Sequence, residues 1–268
     1  MSPEQTFTEE QRRAALARVI LAIDTSDRKK ILRIAEAVRT HVGGYKIGPV
    51  VAWSECISFV RDAFTCRGRD VPVFEMGDTK VAETPNTAAE TAAVLAERRY
   101  RFMTITAESS FESMRDAHNA LTKLGGDTQL LAIGVLTSHT VATLARVGTR
   151  VESVELLMRD RIQAAWDAGI RGAVCSALEI TFLRKKFSGI TLVVPGTTTG
   201  EPQSGQQRTA TPSQAMRDGA SYLVVGREVL NAPDPLAALE RFVHSMCEGM
   251  FPLPTPDPTP EADPDTSC

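Results

Sequence analysis

The chain has neither a long apolar run nor an excess of basic residues. Its formal net charge is −3 over 268 residues, so no global positive field would attract nucleic acid or an anionic membrane. No segment approaches the roughly 20 apolar residues that a membrane-spanning helix needs, and residues 1–18 lack the apolar core of a signal peptide. We therefore expect a cytoplasmic protein that binds neither nucleic acid nor membrane.

Clusters of cysteine or histidine are also missing. The five cysteines are odd in number and irregularly spaced, and no two form a Cys-x-x-Cys pair, which argues against a disulfide framework or a zinc site. The four histidines are scattered and form no His-x-x-x-His pair. We expect the cysteines to be buried thiols, and we expect no metal and no organic cofactor.

Short β-branched apolar runs alternate with longer amphipathic stretches along most of the chain, a pattern typical of parallel strands covered by helices. The predicted strands are residues 18–24, 45–48, 71–76, 102–106, 130–136, 172–175, 191–194 and 221–225. Eight such units predict a single α/β domain, a (β/α)8 TIM barrel. A doubly wound open sheet is the structural alternative.

Helix signals and composition divide the chain into three parts. Ser26-Asp27 predicts a helix start, as do the prolines that precede the run 88–96 and follow Thr211, and residues 151–169 predict a further helix. Six of the 15 prolines fall within residues 252–268 among acidic and small polar residues, a composition typical of disorder. We predict an N-terminal extension at 1–17, a barrel domain at 18–250 and a disordered, proline-rich tail at 251–268.

Polar and charged residues follow or end several predicted strands. In a (β/α)8 barrel the carboxyl ends of all strands meet at one mouth, where active sites lie. Lysine and aspartate are rarely buried unless they are paired, and for any single pair an unrelated ion pair is the simpler interpretation. Their occurrence at successive strand ends favours one shared site. The residues concerned include Asp24, Lys46, Asp78, Lys80, Glu83, Ser138 and Arg227, and the same strand ends also carry Pro195 and Gly226.

The segment Asp78-x-Lys80-x-x-Glu83-x-Pro85-Asn86-Thr87 resembles the Asp-x-Lys-x-x-Asp motif of the orotidine 5′-monophosphate decarboxylase suprafamily. The resemblance covers roughly residues 18–243 and extends to other strands in the order of the barrel. The other similar segments are Leu21-Ala22-Ile23-Asp24, Tyr45-Lys46-Ile47-Gly48, Val135-Leu136-Thr137-Ser138, Val174-Cys175-Ser176-Ala177, Pro195-Gly196, Gln206-x-Arg208, Thr211-Pro212 and Tyr222–Arg227.

The resemblance implies a cofactor-free decarboxylase. Lys46, Asp78, Lys80 and the carboxylate at position 83 would form a network of alternating charges, with Lys80 stabilising the negative charge left on the pyrimidine and donating a proton. In the family the residue at position 83 comes from the partner subunit, which implies a homodimer with a shared active site. Because two ammonium groups beside Asp78 alone would repel each other, Glu83 is expected to supply a second anion.

The resemblance also implies a nucleotide substrate and assigns residues to its parts. Asp24 would hold the ribose hydroxyl groups together with Lys46, and Ser138 would contact the pyrimidine edge. Gln206 and Arg227 would bind the phosphate, helped by backbone N–H groups near Gly196 and Gly226, and the loop 197–207 would close over it. Thr87 and Pro195 complete the predicted substrate-binding set.

The chain departs from the family pattern at several positions. Glu83 stands where the family has Asp, Thr197 where many members have Ile, Gly205 where many have Asp, and Thr106 where a histidine is common. These departures suggest a divergent member, and an altered substrate in a nucleoside pathway is consistent with them.

Two other functions stay open at this point. A magnesium-dependent sugar-phosphate decarboxylase or hexulose-phosphate aldolase of the same suprafamily would need a glutamate as a metal ligand where this chain has Lys46, and a cation cannot ligate Mg²⁺. A non-catalytic nucleotide-binding protein is consistent with Glu83, but it would have little use for Asp78 and Lys80 together.

Overall fold

A computed structural model of the protein describes residues 6–65, 73–200 and 210–252. Within these ranges, eight parallel strands follow one another around a closed barrel, and β8 pairs with β1. The closure confirms the predicted TIM barrel and excludes the open sheet. The strands are β1 (Val19–Ile23), β2 (Gly44–Ile47), β3 (Phe74–Val81), β4 (Phe102–Thr106), β5 (Gln129–Ile133), β6 (Gly172–Val174), β7 (Thr191–Pro195) and β8 (Tyr222–Val225).

Helices cover the outside of the barrel, and local sequence explains where several of them begin. Asp27, Ser110 and Asp234 cap helix N-termini with their side chains, and prolines occupy the first turns of other helices. The helices are α1 (Glu9–Leu16), α2 (Arg28–Val38), α3 (Pro49–Trp53), α4 (Ile57–Phe64), α5 (Pro85–Glu97), α6 (Phe111–Leu124), α7 (Val141–Arg146), α8 (Val154–Asp167), α9 (Ile180–Lys186), α10 (Pro212–Arg217), α11 (Arg227–Leu230) and α12 (Pro235–Met250), with a 3₁₀ turn at Ala177–Glu179.

The third strand differs most from its prediction. We predicted that it ends at Met76 and that the segment Gly77-Asp78-Thr79-Lys80 follows it. Instead β3 continues to Val81 and carries the first half of the motif. Gly77 pairs with Met103 and Val81 with Ile105, so β3 advances four residues while β4 advances two. This β-bulge accommodates the polar residues at the rim of the barrel.

Aromatic side chains close the amino-terminal end of the barrel. Phe74, Phe102 and Tyr222, each the first residue of its strand, pack edge to face with ring centroids 5.2–5.6 Å apart. Gly44 leaves the room that Phe74 needs, since a Cβ there would lie 2.3 Å from the ring. The interior above them is filled by buried apolar residues, so the carboxyl end of the barrel is the open one.

The predicted N-terminal extension contains a helix that packs on the barrel domain. Helix α1 lies against α12, where Ala15 is fully buried and the ring of Phe7 meets that of His244 edge-on at 5.1 Å. Of the predicted tail, the structure describes only Phe251 and Pro252. In the part of the chain that is described, no helix has the length and apolarity needed to cross a membrane.

Candidate active site

A cavity of about 260 Å³ opens at the carboxyl ends of the strands. Strands β1, β2, β3, β7 and β8 and the segments that follow them contribute its walls. It contains six of the predicted site residues, Asp24, Lys46, Asp78, Pro195, Gly226 and Arg227, and is further lined by Ala22, Gly196, Thr197, Thr198, Val224, Val225 and Glu228. The barrel therefore brings together residues that are up to 203 positions apart in sequence, from Asp24 to Arg227.

The centre of the cavity is an ammonium group held between two carboxylates. Lys46 Nζ lies 3.1 Å from Asp24 Oδ1 and 3.0 Å from Asp78 Oδ2. Burial by itself would lower the pKa of Lys46, but the negative charges of Asp78 and Asp24 outweigh it, and the pKa is raised above its ordinary value. Lys46 is therefore a permanent cation at neutral pH.

Asp78 joins this lysine to a second one. The same Oδ2 atom lies 2.7 Å from Lys80 Nζ, so one carboxylate oxygen faces two ammonium groups. Burial would raise the pKa of Asp78, but the charges and hydrogen bonds of Lys46 and Lys80 lower it below its ordinary value. Asp78 is therefore ionised, and the network alternates in sign as Asp24, Lys46, Asp78, Lys80.

The bulge in β3 determines the direction of Lys80. Lys80 has φ of +46°, in the left-handed region that costs a non-glycine residue roughly 1–2 kcal/mol. Its backbone N–H donates to Thr104 Oγ1 at 2.8 Å, and the Thr104 hydroxyl in turn donates to Asp78 Oδ1 at 3.2 Å. Thr104 is fully buried in β4, and we did not identify it from the sequence because a single threonine in an apolar strand carries no distinctive signal.

The other end of the cavity is built by the turns after β7 and β8. Pro195 ends β7 and Gly196 follows it with φ of +83°, which favours glycine there. Gly226 and Arg227 follow β8 directly. The backbone groups near Gly196 and Gly226 and the guanidinium of Arg227 lie at the same rim of the cavity, and this combination is suited to binding an anion. Gln206, which we also predicted here, lies outside the described residues.

Two further cavity residues, Thr198 and Glu228, were not singled out from the sequence, and Thr197 was noted there only as a departure from the family pattern and the start of a loop. Thr197 and Thr198 are buried. Glu228 accepts hydrogen bonds from the backbone N–H and the hydroxyl group of Thr199, which ties the start of the segment after β7 to α11. A glutamate beside Arg227 was uninformative in sequence because charged residues are common at helix starts.

Lys80 contacts the cavity residue Asp78 but is not itself among the residues that line the cavity, and three other predicted residues also lie outside it. Glu83, Thr87 and Ser138 are exposed. The carbonyl oxygen of Glu83 accepts a hydrogen bond of 2.7 Å from Ser113 Oγ, which fixes the backbone at this position. Our charge argument for Glu83 was incomplete, because Asp24 already supplies a second anion beside Lys46. Within one chain, two carboxylates face two ammonium groups.

The geometry suits charge stabilisation and proton transfer. An ammonium held at 2.7 Å from a carboxylate can stabilise negative charge that develops beside it and then donate its proton. A divalent cation does not fit between Asp24 and Asp78, because the ammonium group of Lys46 already lies between these two carboxylates. Elsewhere in the described ranges, no three histidine, cysteine or carboxylate side chains are grouped to bind a metal ion.

The barrel and its lysine–aspartate network define an enzyme of the (β/α)8 class, and comparison with known proteins specifies the family. The model of the Orotidine 5'-phosphate decarboxylase / HUMPS family matches residues 17–242. The chain belongs to this family.

Individual relatives agree with this assignment. The orotidine 5'-phosphate decarboxylase of Sphingopyxis alaskensis is 34% identical over 224 residues, which cover 83% of this chain and 96% of that protein. The enzyme of the same name from Nitrosomonas eutropha is 32% identical over 235 residues, covering 84% and 95%. The crystal structure of orotidine 5'-phosphate decarboxylase from Lactobacillus acidophilus superposes with a TM-score of 0.69 at 24% identity, covering 85% of this chain and 98% of that one. That last likeness supports the barrel fold.

Proposed function

We propose that the protein decarboxylates orotidine 5′-monophosphate to uridine 5′-monophosphate, a carboxy-lyase reaction of pyrimidine nucleotide synthesis. The observation that carries the proposal is the position of Lys46, held between Asp24 and Asp78 in the cavity. The family contains both decarboxylases of this kind and HUMPS members. A magnesium-dependent member would need a carboxylate ligand where this chain places a buried cation.

The network accounts for each step of the reaction without a cofactor. Asp78 would lie beside the substrate carboxylate, and repulsion between the two negative charges would raise the energy of the bound substrate. The bond from C6 to the carboxylate breaks, CO₂ leaves, and the electron pair stays on C6. The Lys80 ammonium stabilises that charge and then donates a proton to C6. Solvent returns a proton to the neutral amine.

The two ends of the cavity would bind different parts of the substrate, with the ribose near Asp24 and the phosphate near Arg227. Asp24 is half exposed, so it has capacity left to accept hydrogen bonds from ribose hydroxyl groups while it pairs with Lys46. Arg227, with backbone groups near Gly196 and Gly226, would bind the 5′-phosphate, and Gln206 is assigned to the same end. Ser138 would contact the substrate only after the segment that carries it approaches the cavity, and Thr87 would contact the substrate bound to the partner subunit.

The proposed assembly is a homodimer in which Glu83 reaches the partner's lysine pair. Support comes from the exposure of Glu83 in its own subunit, next to the bulge that carries Lys80 and with its backbone held by Ser113. In a dimer with two-fold symmetry, the Glu83 carboxylate and Thr87 of each subunit would lie at the active site of the other subunit.

The activity is tested by adding orotidine 5′-monophosphate to the purified protein and following the loss of its ultraviolet absorbance. We expect turnover by the wild type and none by Lys80→Ala, because Lys80 is assigned both the stabilisation of the charge and the donation of the proton, and no neighbouring side chain can replace it fully. Binding of uridine 5′-monophosphate without turnover would instead indicate the non-catalytic nucleotide-binding function.

The shared site is tested by mixing two inactive variants. A hybrid of Lys80→Ala and Glu83→Ala subunits contains one site with both substitutions and one with neither. Equal amounts that exchange freely should recover about a quarter of the wild-type activity. No recovery, in a mixture whose hybrids are verified by differently tagged subunits, would show that Lys80 and Glu83 do not act across an interface.

We also place the reaction in the cytoplasm. Cys56 and Cys247 are buried thiols, a state that is common in reducing compartments. Fractionation of the native host with an antibody against the protein tests this placement.

A further inference from the structure

One buried hydroxyl group contacts both halves of the Asp78–Lys80 pair. Thr104 Oγ1 accepts from the backbone N–H of Lys80 at 2.8 Å and donates to Asp78 Oδ1 at 3.2 Å. A threonine hydroxyl has one proton to donate. Here it donates that proton to the Asp78 carboxylate and accepts the Lys80 backbone N–H with a lone pair. The hydroxyl therefore orients both residues at once.

The backbone around this hydroxyl needs such a contact. The bulge interrupts the regular pairing of β3 with β4 between Gly77 and Val81, so the Lys80 N–H lacks the partner that an unbroken strand pair would supply. Lys80 also has φ of +46°, a conformation that persists only where the surroundings hold it. The Thr104 hydroxyl supplies the missing acceptor at this residue.

The carboxylate of Asp78 is fixed at both oxygens. Oδ2 receives the two ammonium groups, and Oδ1 receives the Thr104 hydroxyl. Without the contact to Oδ1, the carboxylate could rotate about its Cβ–Cγ bond and change which oxygen faces Lys80. Thr104 itself is held, because it is 0% exposed and its carbonyl oxygen accepts 2.7 Å from Thr79 Oγ1.

We propose that Thr104 is a positioning residue, whose hydroxyl sets the direction of Lys80 and the rotation of Asp78 in the reactive geometry. It does not touch the substrate and acts through these two residues. The inference rests on the function proposed above, since it assigns Thr104 to the step that Lys80 and Asp78 perform. The uridylate product and the substrate bind mainly through the other parts of the cavity, so the effect falls on the rate of the chemical step.

The test compares Thr104→Val, which keeps the shape and removes the hydroxyl, with Thr104→Ser, which keeps it. Because misplacement of a reacting group by about 1 Å costs on the order of 100-fold in rate, we expect Thr104→Val to lower kcat by about that factor while KM changes by less than about threefold. Thr104→Ser should restore kcat to within about fivefold of the wild type.

Matched controls separate positioning from general loss of stability. Thr128→Val also removes a threonine hydroxyl that makes a hydrogen bond, here the partly buried contact from Thr128 Oγ1 to the Tyr100 carbonyl, but at the closed end of the barrel, and it should leave kcat unchanged. If Thr104→Val does not fold, Thr104→Cys replaces it, since a thiol has similar size and hydrogen-bonds weakly, and the same fall in kcat is expected.

Three kinetic outcomes would overturn the proposal: an unchanged kcat in Thr104→Val, a change in KM alone, or a Thr104→Ser variant as slow as the valine variant. A crystal structure of Thr104→Val adds a readout that does not depend on the reaction. We expect Lys80 to leave the left-handed region or its Nζ to move from Asp78. If the wild type is inactive on orotidine 5′-monophosphate, the proposed function fails, and an unchanged Lys80 in that crystal structure would refute the positioning role separately.

Discussion

Lys46 Nζ and Asp78 Oδ2 lie 3.0 Å apart at the carboxyl ends of the adjacent strands β2 and β3. Both groups are mostly buried, with 11% and 13% of their side chains exposed. A buried ion pair of this kind is costly to desolvate and is retained where the charges have a task. The pair also separates the two branches of the family, because it places a cation where a metal ligand would be needed.

Activity should not depend on a divalent cation. We expect protein treated with EDTA and then dialysed to keep its full rate of orotidine 5′-monophosphate decarboxylation, because Lys46 occupies the space between Asp24 and Asp78. Steady-state rates with and without added Mg²⁺ provide the measurement. A strict requirement for Mg²⁺ would reverse the choice between decarboxylase and sugar-phosphate enzyme.

Arg227→Ala should weaken binding of the phosphate end of the substrate. Loss of a charge-assisted hydrogen bond costs about 1.5–3 kcal/mol, or roughly 10- to 150-fold in KM. Arg217→Ala on α10, an exposed arginine outside the cavity, is the matched control and should have no effect. Orotidine, which lacks the phosphate, should react equally with wild type and Arg227→Ala, and an equal loss with both substrates would refute the phosphate assignment.

Acid titration should reveal the ionised state of Asp78. Its pKa is lowered in the folded protein, so its contribution to stability is fully present above the ordinary aspartate pKa of about 3.9 and is lost as the pH falls through the lower, folded pKa. At pH 7, Asp78→Asn should reduce the free energy of unfolding by about 3 kcal/mol, because it leaves Lys46 and Lys80 poorly compensated.

The difference between wild type and Asp78→Asn should stay constant from pH 7 to about pH 5 and shrink below about pH 4. Urea unfolding at each pH provides the measurement. Asp116→Asn, which removes a partly exposed carboxylate paired with its neighbour Arg115, should change stability by less than about 0.5 kcal/mol. A gap that widens towards low pH would contradict the assigned direction of the pKa shift.

Glu83→Asp tests whether the longer side chain is adapted to its place. If the backbone at 83, held by Ser113, positions the glutamate correctly, the shorter aspartate leaves a gap of about one methylene, and kcat should fall by about 10- to 100-fold. Glu90→Asp, an exposed glutamate on α5, is the control. A large gain in turnover for Glu83→Asp would mean that the glutamate crowds the site.

The barrel itself was predictable from local patterns. Alternating apolar runs and amphipathic stretches gave eight strands in order, and the predicted limits of β4 coincide with those observed. Strand ends carry polar residues only where the mouth of the barrel needs them, so Asp24, Lys46 and Arg227 could be assigned before any contact was known. The helix starts at Asp27 and Pro212 followed from capping rules.

Other features depend on contacts between distant residues. The length of β3 could not be read from Gly77-Asp78-Thr79-Lys80, because a strand is recognised by apolar residues and this one is stabilised by a bulge against β4. We placed Asp24 and Lys46 together at the ribose, but the sequence does not show that the Asp24 carboxylate, just after β1, contacts Lys46 directly and contributes to the balance of charges there.

The sequence by itself determined the fold, the family and the chemical types at the mouth of the barrel, because periodicity, turn residues and motifs are local properties of the chain. Only the tertiary structure decided how those groups are aimed. Lys80 has a left-handed backbone, and the Thr104 hydroxyl contacts both Lys80 and Asp78. Both features arise because the register between β3 and β4 shifts at the bulge. That pairing is determined by the closure of the whole barrel, which no local segment encodes.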